Sequence, residues 1–341
     1  MMLRRSLLLA TGPAALLGLA ACGPSAADKA SAGKPTINFS ILSAENQQSM
    51  EPLWQPLLDD MEKQTGVHAK AYFASNYTAL ITAMKFNQTQ VGWFSALPAL
   101  EAVDRANAEV LGRVIDAGGE GVYTSVLIVK KGSGIKLADV LKCDKRLSMG
   151  MGDPQSTSGT LAPMYYLFSP HGIDPSSCFK NVKSASHQAN LGSVANGIQD
   201  VASNNSVGLV FAGRETPEMR NKIEVIWESP PLPESCIVAR KDLDPAIKDK
   251  LRSFFLTYGT QAGPEGDRQR QVLKGLAYGG FRPADDSYLD PIRLMKANGE
   301  LVEAKKSGDA GKIAEAQKAF DAISAKATSV GASAPATVTK P

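Results

Sequence analysis

Short apolar runs of strand character alternate with amphipathic helical stretches from Ile37 onward, and this alternation constrains the fold more than any other property of the chain. Ile37-Asn38-Phe39-Ser40-Ile41-Leu42 alternates apolar and polar positions as a half-buried strand does. Residues 54–65 follow, with Leu57, Leu58 and Met61 at helical spacing. Residues 67–73 then read as a strand, 77–87 as a helix, 91–94 as a short buried strand and 96–107 as a helix. A second series reads as strands at 123–129, 147–150, 207–211 and 225–227, with helices near 161–168 and 190–196. After the break Pro230-Pro231-Leu232-Pro233 come an apolar run, 236–239, and a helix over 245–258. Such repetition predicts an α/β architecture with a largely parallel sheet. The roughly 290 residues involved suffice for two lobes, and two α/β units joined by extended crossovers are the simplest layout. Residues 300–326 predict an Ala/Lys/Glu-rich helix on the outside.

The ends read differently. Residues 1–21 combine Arg4-Arg5 with an apolar run over 7–21 and contain no acid, which is the pattern of an export signal. Gly12, Pro13 and Gly18 interrupt that run, and it is shorter than the roughly 20 residues a helix needs to cross a bilayer. Leu19-Ala20-Ala21-Cys22-Gly23 resembles the bacterial lipoprotein box, in which the cysteine is lipid-modified after cleavage. The mature chain is therefore expected to begin at a lipidated Cys22; the alternative is an ordinary cleaved signal with an incidental cysteine. Arg4-Arg5-Ser6-Leu7-Leu8 also loosely resembles a twin-arginine signal, which leaves the export route open. Residues 22–35 have the composition of a flexible leash, and 327–341 that of a disordered tail.

Without Arg4 and Arg5 the 37 basic residues fall to 35 against 34 acidic, so the mature surface is nearly neutral. No basic stripe or nucleic-acid motif is present, and nucleic-acid binding is set aside. Beyond Cys22, the cysteines Cys143, Cys178 and Cys236 form no C-x-x-C pair and no metal-spaced set, so no metal is indicated. In an oxidising envelope two of the three can pair; Cys143 with Cys178 is the expected bridge, since both flank one subdomain in loop-like sequence, with Cys236 the odd thiol.

The stretch most suggestive of chemistry is Gly152-Asp153-Pro154-Gln155-Ser156-Thr157-Ser158-Gly159-Thr160, between an expected strand and an expected helix. Unpaired backbone N–H groups at a helix start form a ready site for a tetrahedral oxyanion. Serine and threonine hydroxyls add donors, and glycine lets the backbone come close. The plain alternative is that one serine caps the helix and the rest is polar loop. Pro163 makes a late start or a kink of that helix possible.

Asp153-Pro154-Gln155-Ser156-Thr157-Ser158-Gly159 resembles the anion-binding loop of the phosphate/phosphite/phosphonate ABC-transporter substrate-binding proteins, the PhnD family. The likeness extends, in the family's order, to Val91-Gly92-Trp93-Phe94, to residues 101–107 and 123–129, to His187-Gln188-Ala189-Asn190-Leu191 and to residues 200–205. The resemblance implies a type II periplasmic-binding-protein fold, two α/β lobes on a two-stranded hinge. Lobe 1 would comprise residues 36–125 and 234–326, and lobe 2 residues 126–233. It further implies that Ser156, Thr157, Ser158, Tyr77, Tyr123 and His187 hold a phosphonyl group in the cleft, while a permease in the inner membrane receives the closed protein. No cofactor is implied. Trp93 is a candidate floor of the cleft, although short aromatic strands usually belong to the core.

Family members that accept aminoethylphosphonate look as if they pair its ammonium with acidic side chains at positions that here are Val207 and Ser235, with Glu234 adjacent. An apolar valine cannot pair a cation, and an unpaired buried charge costs several kcal/mol, on the order of a useful affinity. An amine-free ligand, a short alkylphosphonate or phosphite, is therefore expected unless Glu234 takes over. Two other classes compete. One is an enzyme on the same scaffold with Ser156 or Ser158 as nucleophile and His187 as base, for which no G-x-S-x-G elbow, Walker loop, H-E-x-x-H helix or dinucleotide fingerprint is found. The other is a sensor that binds the same anion and reports it to a membrane receptor.

Overall fold

The computed structural model of the chain describes residues 33–329. The expected signal 1–21, the expected lipid site Cys22, most of the leash 22–35 and residues 330–341 lie outside the described residues. No helix among the described residues is long and apolar enough to cross a membrane.

β1 (Thr36–Ile41) buries Ile37, Phe39 and Ile41. It leads into α1 (Gln47–Thr65), which starts where the Asn46 side chain accepts the Ser49 N–H, ahead of the expected start at 54. β2 (His68–Tyr72), α2 (Tyr77–Lys85), β3 (Val91–Phe94) and α3 (Ala96–Arg105) follow. β1 pairs in parallel with both β2 and β3, as strands joined by crossover helices do. β4 (Ala108–Asp116) comes next, and the chain passes through β5 (Val122–Tyr123) into a second sheet.

That sheet contains β6 (Ser125–Lys130), β7 (Ser148–Met151), β8 (Asn181–Ser184), β9 (Val201–Asn205) and β10 (Ile223–Glu228) in the order β10-β6-β9-β7-β8. Its longer helices are α4 (His187–Ala195) and α5 (Ser206–Glu215). The return path is β11 (Leu232–Pro233), which pairs antiparallel with β5. β12 (Cys236–Arg240) then inserts between β3 and β4, antiparallel to both. After α6 (Pro245–Thr257) and α7 (Pro264–Gly275), β13 (Tyr278–Arg282) completes a six-stranded sheet of order β13-β4-β12-β3-β1-β2. The chain closes with α8 (Asp290–Ser307) and α9 (Ala310–Ser329).

Three expectations are corrected. The sheets are mixed rather than largely parallel, because each crossing between them brings strands back in the opposite sense, as with β12 against β3 and β6 against β9. Residues 207–211 are helix, not strand: Asn205 ends β9 and caps α5 by accepting the Gly208 N–H at 2.7 Å. The outer helical segment is two helices, broken at Gly308 in a left-handed conformation (φ 69°), and the second runs on to Ser329.

Alternation along β6 explains how the second sheet is covered on both faces. Leu127 and Val129 pack with Met149, Phe168, Phe179 and Val201, while Val126 and Ile128 pack with Leu191, Val194 and Ile223. The first sheet anchors the larger core, in which Phe39, Trp54, Phe94, Phe255 and Phe281 are fully or nearly fully buried. At ~25 cal/mol per Å2 of apolar surface removed from water, burial of these aromatic side chains stabilises the half that carries β1 and β3. Cys143 and Cys178 are joined by a disulfide, and Cys236 is free and buried.

Candidate ligand-binding site

In α/β sheets, ligands bind beyond the carboxyl ends of the parallel strands. Here those ends from both sheets meet. β1 delivers Leu42 and Glu45, β3 delivers Ser95, β7 delivers the loop 152–158, and β9 delivers Asn205 and Val207. Between them lies a cavity of about 50 Å3 lined by Tyr77, Tyr123, Ser156, Ser158 and His187 together with Trp93, Val207, Glu234 and Ser235. Thr157 is not part of the lining; its hydroxyl accepts the Leu97 N–H at 2.8 Å and reaches Ser95 Oγ at 3.3 Å.

The loop's shape follows from its glycines. Gly152 donates its N–H to the Gly159 carbonyl at 2.8 Å, and a Cβ on either glycine would sit 2.6–2.7 Å from the other's Cα. Only glycine permits that approach. Ser156 Oγ accepts the Gly159 N–H at 2.9 Å and so caps the turn, which leaves its own proton free to donate. Residues Thr157–Leu161 then form a wide π-helical turn, and Met164–Phe168 a second. Pro163, which lacks an N–H, stands immediately before that second turn. The backbone is held from behind: Ser125 Oγ donates to the Ser158 carbonyl and Ser203 Oγ to the Gly159 carbonyl, each at 2.6 Å.

The donors that converge here are neutral. Burial lowers His187 to about 4, so its imidazole is uncharged at neutral pH. Its Nε2 lies 3.5 Å from Ser158 Oγ, and its buried Nδ1 has no protein partner. Burial drives the Tyr77 and Tyr123 phenols well above their usual range, with Asp153 adding to the effect on Tyr77 and Glu234 to that on Tyr123.

Among the described residues no lysine or arginine lines the cavity, but two carboxyls do. Glu234 is raised by burial, and its Oε1 accepts the Ser235 N–H and hydroxyl, each at 2.8 Å. Glu45 is pushed up to about 8, by burial first and by Glu215 second. Ser95, Asn205 and Glu45 are lining residues that the sequence reading missed; their common signal is position, each standing at or just past the carboxyl end of a parallel strand. Leu42, Met50, Phe211 and Leu276 supply apolar wall. Among the described residues no group of His, Cys, Asp and Glu is arranged to hold a metal ion.

The sequence profile of the family described as periplasmic phosphonate substrate-binding proteins of ABC transporters matches residues 39–289. The chain belongs to this family. As a phosphonate-family binding protein it is 43% identical over 270 residues to the phosphonates-binding periplasmic protein of Escherichia coli K12, covering 79% of this chain and 78% of that one. Among solved structures, the binding-protein component of an ABC phosphonate transporter from Pseudomonas aeruginosa superposes with a TM-score of 0.82 at 35% identity, over 87% of this chain and 99% of that one. PhnD1 of Prochlorococcus marinus, solved with methylphosphonate, shares the fold with a TM-score of 0.67 at 21% identity, over 76% and 96% of the two chains. This phosphonate-binding protein therefore has the type II periplasmic-binding-protein fold of its relatives and serves an ABC transporter. The family and the Escherichia coli relative are described as binding proteins.

Proposed function

We propose that the protein captures a short, amine-free phosphonate or phosphite between two lobes, residues 36–125 with 234–326 and residues 126–233, with β5 and β11 as the hinge. Ser156, Ser158, Tyr77, Tyr123 and His187 hold the phosphonyl oxygens, and Val207, Trp93, Glu234 and Ser235 meet the rest of the ligand. The observation that carries this reading is the convergence of five neutral donors on one cavity whose other walls are mainly apolar. Donors of this kind bind an oxyanion without the desolvation cost of a buried cation. Burial disfavours the ionised form of both carboxyls, the form that an ammonium substituent would require.

Closure follows because the ligand touches both lobes and so has higher affinity for the closed arrangement. The closed form is what a permease in the inner membrane receives. Lipid attachment at Cys22 would keep the protein close to that permease.

Calorimetric titration with phosphate, phosphite, methyl-, ethyl- and aminoethylphosphonate tests the reading. Preference for an amine-free member is expected. A hydrogen bond to a charged oxygen contributes about 1.5 to 3 kcal/mol, so Ser158→Ala should weaken that ligand roughly ten- to a hundredfold. Unchanged affinity for every member in Ser158→Ala rejects the site, and strong preference for the amine rejects the reading of Val207 and Ser235.

A further inference from the structure

We propose that Asp153 and Thr157 are positioning residues, which cap helices of the opposite sheet across the cleft and so hold the closed form around the ligand, while Ser156 and Ser158 of the same loop face it. The proposal rests on the ligand site argued above and assigns different work to alternate residues of one loop.

The first four N–H groups of a helix have no partner within it and are usually met by the side chain just before the helix. α3 lacks that local arrangement: Ser95 stands at its N-cap, yet its side chain makes no capping bond. The Leu97 N–H at the second helical position is instead accepted by Thr157 Oγ1 at 2.8 Å, from sixty residues away in sequence. Thr157 is completely buried. α3 packs on β3, β4 and β12 of the six-stranded sheet, whereas residues 157–161 pack on β6 and β9 of the other. The cap therefore joins the two sheets.

Asp153 repeats the arrangement at α2. That helix has its own cap, Asn76, which accepts the Ala79 N–H. The N–H of Tyr77, its first residue, is left over, and Asp153 Oδ2 accepts it at 3.2 Å. The same carboxylate holds its own loop through Oδ1, which accepts the Gln155 N–H at 2.8 Å. Asn46, ahead of α1, also bonds across the halves, donating to Gln188 Oε1 at 2.7 Å beside His187.

The loop thus alternates. Ser156 and Ser158 line the cavity, while Asp153 and Thr157 grip the other half. A loop ordered by phosphonyl oxygens presents both grips at once, and opening must break them before the ligand leaves. Loss of a grip should then appear in the dissociation rate and leave the surroundings of phosphorus unchanged.

The test uses the full mature chain and methylphosphonate, with stopped-flow dissociation and the 31P chemical shift of the bound ligand as readouts. Thr157→Val keeps the shape and removes the acceptor; it should speed dissociation about tenfold with the bound 31P shift as in the native protein. Thr157→Ser should restore the native rate. Asp153→Ala, at a less buried position, should behave as Thr157→Val does, and Asp153→Asn, which retains an acceptor, should stay near native. Ser158→Ala, by contrast, should change both rate and shift. The proposal is overturned if Thr157→Val and Asp153→Ala dissociate at the native rate, or if Thr157→Val moves the 31P signal as Ser158→Ala does. A native chain that binds no methylphosphonate removes the ligand site itself, and this proposal with it; native binding with unaffected variants removes this proposal alone.

Discussion

His187 and Glu45, both lining the site, respond to pH in opposite senses. His187 falls to about 4 in the folded chain against 6.5 unfolded, because burial penalises its charged form. The unfolded state binds the extra proton, so stability is lost as pH drops from about 6.5 towards 4. Glu45 rises to about 8 against 4.5, chiefly by burial. The folded state now holds the extra proton; the favourable contribution is complete below about 4.5 and is lost as pH rises through 8. Glu45→Gln removes the second dependence alone. Its unfolding free energy should match the native protein's near pH 4 and exceed it by pH 8, by on the order of a few kcal/mol. Denaturant titrations across that range measure it, and a constant difference between the two proteins contradicts the assignment. The sequence pointed to the residues of the 152–160 loop but not to their division of labour. Ser156, Thr157 and Ser158 carry the same chemistry, and only the backbone's path decides which hydroxyls face the cavity. Glu45 was hidden because an isolated acid in a polar stretch reads as surface until β1 and α5 are seen to enclose it.

At the scale of elements, β8 depends on its neighbours more than any other strand of its sheet. All four of its residues are exposed, and it pairs only with β7 along one edge. The Cys143–Cys178 disulfide ties the segments leading into those two strands across 35 residues, and the Lys145 N–H donates to the Cys178 carbonyl at 3.1 Å. A link of that span stabilises a fold by about 2 to 4 kcal/mol, chiefly by restricting the unfolded chain. Replacing both cysteines by serine should cost about that much in chemical denaturation. Amide exchange should accelerate first in β8, with β1 and β3 little affected; an unchanged midpoint with unchanged β8 protection contradicts this role.

Elements whose pattern is local were legible, such as β1, α2, β3, α3 and α6. Those decided by tertiary context were not. β13 contains two adjacent glycines, which give a strand no side chain to read. Gly112 interrupts the apolar pattern of β4. The apolar run at 207–211 suits a strand or a helix, and the Asn205 cap decided for helix.

For the whole molecule, the α/β class could be expected from alternation, whereas strand order could not. β12 reaches its place between β3 and β4 only after the chain has visited the other sheet, and no local signal encodes an insertion more than a hundred residues after β4. That return path brings Glu234 and Ser235 into the lining of the cavity, beside residues from the carboxyl ends of β1 and β3. The function depends on one geometric claim, that an oxyanion of phosphorus sits where these strand ends meet. A crystal structure with methylphosphonate bound tests it directly. The account predicts phosphorus in the cavity, its oxygens within hydrogen-bond reach of Ser156, Ser158, Tyr77, Tyr123 and His187, and Thr157 still bonded to the Leu97 N–H. Phosphorus bound elsewhere, or oxygens that leave Ser156 and Ser158 without a contact, would contradict it.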